Sequence, residues 1–66
     1  MKTKTFGQRL RDARAAAELS QQTVADRAGM HRPDLSDLEG GKIDPRLSTI
    51  RRLAKALGVE METLTG

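Results

Sequence analysis

The sequence predicts an all-α fold: a compact bundle of five short helices organised around a central pair joined by a tight turn. Three observations predict it. Apolar and small residues recur three and four positions apart from Phe6 to Leu64, the spacing that lines one face of a helix. Glycines fall just past the ends of these runs, at Gly29, Gly40-Gly41 and Gly58. There they can take the left-handed conformation that stops a helix. Thr5 and Ser20, whose hydroxyls can accept a bond from a free backbone N–H, stand just before two of the runs.

Residues 1–4 form a short basic tail, expected to be mobile, and residues 5–66 form the domain. A first helix is expected from Thr5 to about Glu18. Thr5 and Gln8 have the spacing of a capping box. Phe6, Leu10, Ala13 and Ala17 step by four, three and four along one stripe. Phe6, the one aromatic residue, is expected in the core. Arg9 and Arg11 fall off the stripe on solvated faces, and Arg14 lies beside it.

The second helix, Gln21 to Ala28, begins at Ser20, with Leu19 and Val24 placed as a hydrophobic staple. Val24 and Ala28 share its inner face. Ala25 beside them is small enough to let two helices approach closely, and Gly29 ends the helix and redirects the chain. The third helix runs from about Arg32 to Glu39, with Leu35 and Leu38 inward. Met30 and Leu35 repeat the staple around His31, itself a poor cap. Pro33 falls in the first turn, where its missing N–H does no harm, and Asp34 there suits the helix dipole.

Gly40-Gly41-Lys42 ends the third helix, and Ile43 is expected to plug the core under the following loop. Asp44 can cap a fourth helix with Pro45 in its first position. Leu47, Ile50, Leu53, Ala54 and Leu57 form that helix's core stripe, and Gly58 stops it. Val59 to Leu64 gives a last short helical turn. Its apolar residues either finish the core or are shared with a second subunit.

Sixty-six residues make one domain at most. A chain this short buries only about 60% of its unfolded surface, so stability should be modest. It has no cysteine, which excludes a disulfide staple and a thiolate metal site and fits a reducing cytoplasm. No apolar run approaches the roughly 20 residues of a membrane span. The charged N-terminus lacks the apolar segment of a signal peptide. The net charge of +3 is uneven. Residues 1–18 carry five basic and two acidic side chains, residues 19–44 three and five, and residues 45–66 four and two.

Catalysis and cofactor chemistry have little support. His31 is the only histidine, so no Ser-His-Asp arrangement exists and no metal or catalytic role is expected for it. Asp34 and Asp37 share a helix face, but acid–base work needs a walled cleft to shift their pKa. Gly40-Gly41 stands alone, without the pattern of a phosphate or dinucleotide loop. No cofactor, metal or small-molecule ligand is implied.

The stretch Leu19 to Gly41, LSQQTVADRAGMHRPDLSDLEGG, resembles the helix-turn-helix of the lambda-repressor-like family, also called the Cro-type or XRE family. Counted from Gln21, the small residue, the glycine and the apolar positions match, with the motif over about 21–40. The resemblance runs from about Phe6 to Leu64 and includes Leu10 and Arg14 before the motif, Glu39, Gly41 and Lys42 after it, and LAKALGV at 53–59. It implies a five-helix lambda-repressor-like bundle, with the fourth helix starting one or two residues later than Pro45. It also implies an Arg14–Glu39 pair, mainly structural.

The resemblance implies a cytoplasmic bacterial, archaeal or phage-type protein that binds double-stranded DNA as a homodimer. The third helix would enter the major groove. Arg32, Pro33, Ser36 and Asp37 occupy its base-reading positions. Arginine can bond guanine in a bidentate way, and aspartate can accept from cytosine N4. Ser20, Gln21, Lys42 and Arg46 would contact phosphates, which position the domain without reading sequence. Gln21 matches a family residue that also braces the residue at the Arg32 position. Lys2 and Lys4 match an arm that some relatives use to grip DNA. Two departures stand against this. Pro33 replaces the usual polar reader, and Asp34 and Asp37 carry negative charge toward a polyanion. Either the acids penalise wrong bases while helix 1, Lys42 and Arg46 supply phosphate attraction, or the domain is a protein-interaction module with weak or no DNA binding. A spare apolar edge at Val59, Met61 and Leu64 is the candidate dimer contact.

Overall fold

Left-handed turns punctuate the chain, and the helices lie between them. The computed structural model describes residues 3–66. α1 spans Phe6–Ala16, α2 Gln21–Ala28, α3 Arg32–Glu39, α4 Leu47–Leu57 and α5 Met61–Thr65. No strand occurs among the described residues, and no helix is long and apolar enough to cross a membrane. Met1 and Lys2 of the expected tail lie outside the described residues. Lys4 is exposed, and its ammonium is bonded to the Asp12 carboxylate.

α1 starts as its sequence requires. Thr5 accepts from the Gln8 N–H, and the Gln8 side chain accepts from the Thr5 N–H at 2.9 Å, a complete capping box. The helix ends at Ala16, two residues before the expected Glu18. Glu18 itself is left-handed, at φ 57°. The N–H of Leu19 reaches back to the Arg14 carbonyl at 3.2 Å. The same closure recurs at Gly29 (φ 68°), Gly41 (φ 74°) and Gly58 (φ 71°). The following N–H groups of Met30, Lys42 and Val59 bond to the carbonyls of Ala25, Asp37 and Ala54. α1 thus stops as the others do, but on a glutamate, which sequence does not flag. Ala17, expected on the apolar stripe, lies past the helix end and is exposed.

The core comprises Leu10, Val24, Ala25, Ala28, Leu35, Leu38, Leu53, Ala54, Leu57 and Leu64. α2 packs on α4 and α3, while α1 packs on α3 and α5. Ala25 is fully buried, in keeping with the close helix contact expected there. Phe6 packs on the margin of this core and is only half-buried.

Three expectations about apolar residues need correction. Ile43 does not plug the core; it is 44% exposed. α4 begins at Leu47, after Arg46 in the capping position, as the family pattern implies, and not at Pro45. Leu47 is then the first residue of the helix, beyond the packed stripe, and is 62% exposed. Leu64 is fully buried, so it finishes the core and is not part of a spare edge. Val59 and Met61 are half-buried against the same core.

Gly7 was not singled out by its sequence position, yet the fold depends on it. A Cβ built there would lie 2.5 Å from the Leu38 carbonyl oxygen and 2.6 Å from that of Glu39. The absence of a side chain lets the first turn of α1 sit directly on the last carbonyls of α3. The positive end of one helix dipole then meets the negative end of another. A glycine inside a helix costs roughly 0.5–1 kcal/mol relative to alanine, which is the one sequence signal that a packing reason exists.

Candidate nucleic-acid interface

α3 divides its residues between two surroundings. Leu35, Leu38 and Glu39 are buried. Arg32, Pro33 and Asp34 are exposed, and Ser36 and Asp37 are half-buried one turn on. The four expected base-reading residues therefore sit at the open end and along the less buried side of one helix. His31 precedes them in extended conformation, and its side chain makes no capping bond. The first-turn N–H groups of a helix have no internal partners. In α3 Pro33 has no N–H and the Asp34 N–H bonds to the His31 carbonyl at 3.0 Å, so the Arg32 N–H is the first-turn donor left for an anion, and the dipole favours one there.

α2 starts differently. Ser20 accepts from the Thr23 N–H at 3.1 Å and donates to the Thr23 hydroxyl at 2.9 Å, so its side chain is engaged twice within the helix. A phosphate arriving at this end would meet the first-turn backbone of α2 rather than a free serine hydroxyl. Gln21, the first residue of α2, is half-buried. Its amide nitrogen donates to Glu39 Oε1 at 3.1 Å. The brace implied for Gln21 thus runs to Glu39, at the far end of α3 from Arg32. Lys42 is exposed directly after the left-handed Gly41, and Arg46 is exposed in the capping position of α4. Both lie on the connection that leaves α3, where long cations can reach past the helix.

The Arg14–Glu39 pair is present and bidentate. Arg14 Nε donates to Glu39 Oε2 at 2.7 Å, and an Nη nitrogen donates to Oε1 at 3.0 Å. The other Nη donates to the Leu19 carbonyl at 3.0 Å. The Glu39 side chain is 1% exposed. Burial pushes its carboxyl up, but hydrogen bonds from Arg14 and Gln21, with the charges of Arg14 and Arg11, outweigh it and hold the group below the usual carboxylate range. The bond to Glu39 in turn raises the Arg14 guanidinium above its ordinary value, against the opposing effect of burial. Among the described residues no buried side-chain nitrogen or oxygen lacks a partner, and no group of three or more His, Asp or Glu residues could hold a metal ion.

A profile of the helix-turn-helix domain family matches residues 5–65. The chain belongs to this family. Its fold is the lambda-repressor-like one, and the motif within it is α2, the Gly29 turn and α3. This helix-turn-helix domain is 36% identical over 62 residues to the immunity repressor protein of Bacillus phage phi105, covering 94% of the chain and 43% of that repressor. It is similar to the crystal structure of the restriction-modification controller protein C.AhdI from Aeromonas hydrophila, with a TM-score of 0.87, 42% identity and 89% of each chain covered. It is also similar to the solution structure of the DNA-binding domain of the P22 c2 repressor, with a TM-score of 0.91 and 25% identity over 97% of this chain and 84% of that one.

Proposed function

We propose that this domain is the DNA-binding part of a sequence-specific transcriptional regulator, acting as a repressor. It binds double-stranded DNA by placing α3 in the major groove. The observation that carries the reading is the division along α3: an exposed, uncapped N-terminal turn bearing Arg32, on a helix whose other face is fixed in the core. A related repressor, a related controller protein and the DNA-binding domain of a further repressor support it. Arg32 reads a guanine, Ser36 and Asp37 read the neighbouring bases, and Pro33 offers apolar contact to a thymine methyl. The α2 N-terminus with Gln21, and Lys42 and Arg46, take phosphates.

The domain acts as a homodimer on an approximately palindromic site, the two α3 helices entering adjacent major grooves roughly 34–36 Å apart. Ile43 and Leu47, the exposed large apolar residues of the described chain, offer the second copy a contact that the buried Leu64 cannot. Ile43 lies on the connection that leaves α3 and Leu47 opens α4, so pairing there sets the spacing of the two reading helices.

Selection of binding sites from a random duplex pool tests binding, specificity and two-fold symmetry at once. Enrichment of a sequence with two half-sites is expected; enrichment of nothing would overturn the proposal. The five acids of residues 19–44 favour a second reading, a protein-interaction module. Salt separates the two. Phosphate binding makes log affinity fall linearly with log salt, with a slope of about −0.9 per phosphate neutralised, whereas the rival predicts no shift of any duplex at low salt.

A further inference from the structure

The acidic centre of this sequence leaves phosphate attraction to be found elsewhere, and the stretch leading into and along α1 is one of the two basic ones. Four cations lie between residues 4 and 14, and the structure gives each a different fate. Lys4 is bonded to Asp12. Arg9 is half-buried with its guanidinium against Gly66, where an added Cβ would meet its Nη2 at 2.8 Å. Arg14 is committed to both oxygens of Glu39. Arg11 alone stands beside a carboxylate that other groups already satisfy. Its Nε is 3.7 Å from Glu39 Oε1, beyond hydrogen-bonding distance, and its side chain is 61% exposed.

Around the buried Glu39 there are thus two guanidinium groups for one carboxylate, and a positive charge is left over. Arg14 takes up the negative charge from within, so the surplus sits on Arg11, facing solvent. Gln21 donates to the same Glu39 oxygen from the first turn of α2. An amide nitrogen carries two hydrogens, and only one is needed for that bond. The surplus cation and a directed neutral donor therefore converge within 3.7 Å of one oxygen, next to a helix N-terminus. Arg11 also lines the cleft that runs along Glu39, Gly40 and Gly41 to Ile43, Asp44 and Pro45, whose one exposed acid is Asp44.

We propose that Arg11 and Gln21 form a two-pronged clamp for a single DNA phosphate, organised by the buried Glu39 carboxylate. Arg11 supplies the charge and five possible donors, and Gln21 supplies the fixed direction. The clamp carries phosphate binding from the α2 N-terminus onto α1. It explains how a domain with an acidic reading segment keeps affinity for a polyanion. The proposal rests on the DNA-binding reading above and adds to it one specific residue, Arg11, where the sequence offered only helix 1 as a whole.

The test is a salt titration of duplex binding by the full chain, using the best duplex from the selection experiment, for the unaltered protein, Arg11→Ala, Arg11→Lys, Gln21→Ala and the Arg11→Ala/Gln21→Ala pair. Arg11→Ala should make the slope of log affinity against log salt shallower by about 0.9, the value for one lost phosphate contact, for specific and unrelated duplexes alike. Arg11→Lys should restore the slope. Gln21→Ala, which removes no charge, should weaken binding at every salt with an unchanged slope. The double variant should lose less than the product of the two single losses, because both prongs serve one phosphate. Thermal unfolding of Arg11→Ala should match the unaltered protein, which separates a lost contact from a damaged fold. An unaltered slope in Arg11→Ala, or fully multiplicative losses in the pair, would overturn the clamp while leaving the DNA-binding reading standing. Failure of the unaltered protein to bind any duplex would remove both.

Discussion

The two ends of α3, a helix of eight residues, have opposite designs. At the C-terminal end nearly every group is spoken for. Glu39 is buried and bonded to Arg14 and Gln21, Gly7 lets α1 rest on the last carbonyls, and the left-handed Gly41 closes the helix. At the N-terminal end little is. His31 forms no cap bond, and Arg32, Pro33 and Asp34 project into solvent. The difference teaches where this fold places stability and where it leaves room for a partner. The fixed end draws on α1 and the first turn of α2. The open end keeps the N–H and the guanidinium of Arg32 unspent.

Breaking the fixed end should have the largest effect. Arg14→Ala leaves the Glu39 charge buried without its main partner, and the loss should be about 3–5 kcal/mol. Chemical denaturation would measure it, and a loss under about 1 kcal/mol would show that the junction contributes no more than a surface ion pair. The same junction sets the acid sensitivity. The folded state holds the Glu39 carboxyl below its ordinary value of 4.5, so the unfolded chain takes up the proton first. The contribution is therefore complete above about pH 4.5 and is lost as pH falls through the lower folded-state value. Unfolding monitored across pH should show stability falling below that point, and Arg14→Ala should alter that fall.

Gly7→Ala comes next. Its methyl would need space now held by two backbone carbonyls, which cannot rotate away as a side chain can. About 1–3 kcal/mol is expected from such overpacking. The melting temperature should drop, although alanine is the better helix former.

Changes at the open end should sharpen the contrast by leaving the fold alone. Arg32→Ala should leave the melting temperature unchanged and remove about 1–3 kcal/mol of discrimination at one base-pair position. Lys42→Ala should weaken all duplexes alike. Binding assays on a set of single-base variants would show the difference, and uniform weakening by both would put the reading helix in doubt. The smallest effect should come from His31→Ser, because Pro33 has no N–H and the Asp34 N–H already bonds to the carbonyl of residue 31; the new hydroxyl should stabilise by less than the roughly 1 kcal/mol of a full cap. No gain would mean that the first turn of α3 is already satisfied in the folded protein.

Much of this was legible beforehand. The stops at Gly29 and Gly58, the capping box at Thr5 and Gln8 and the Arg14–Glu39 pair each follow from a local rule or from the family's pattern, and each is present in the structure. What escaped has physical reasons. Glu18 adopts a conformation that side chains disfavour by roughly 1–2 kcal/mol, so no residue marked the end of α1. Periodicity says that Ile43 and Leu47 are apolar but not whether a neighbouring element covers them. The importance of Gly7 arises between residues more than thirty positions apart, where no window along the chain sees it. The site was legible as a set of positions on α3, but not as a network. That Gln21 answers to Glu39, and that Arg11 is the cation left over, depends on which side chains have already been used.

One guanidinium, that of Arg14, joins α1, the Leu19 carbonyl and the last residue of α3. It thereby acts as a pivot for the helix that carries Arg32. Eight residues of α-helix are about 12 Å long, so a tilt of about 5° at Glu39 swings the opposite end by roughly 1 Å. A hydrogen bond to a base edge tolerates only a few tenths of an ångström. On the proposed reading, the aim of that end is thus set inside the protein, and a substitution that slackens the pivot would blur recognition well before it unfolds the chain.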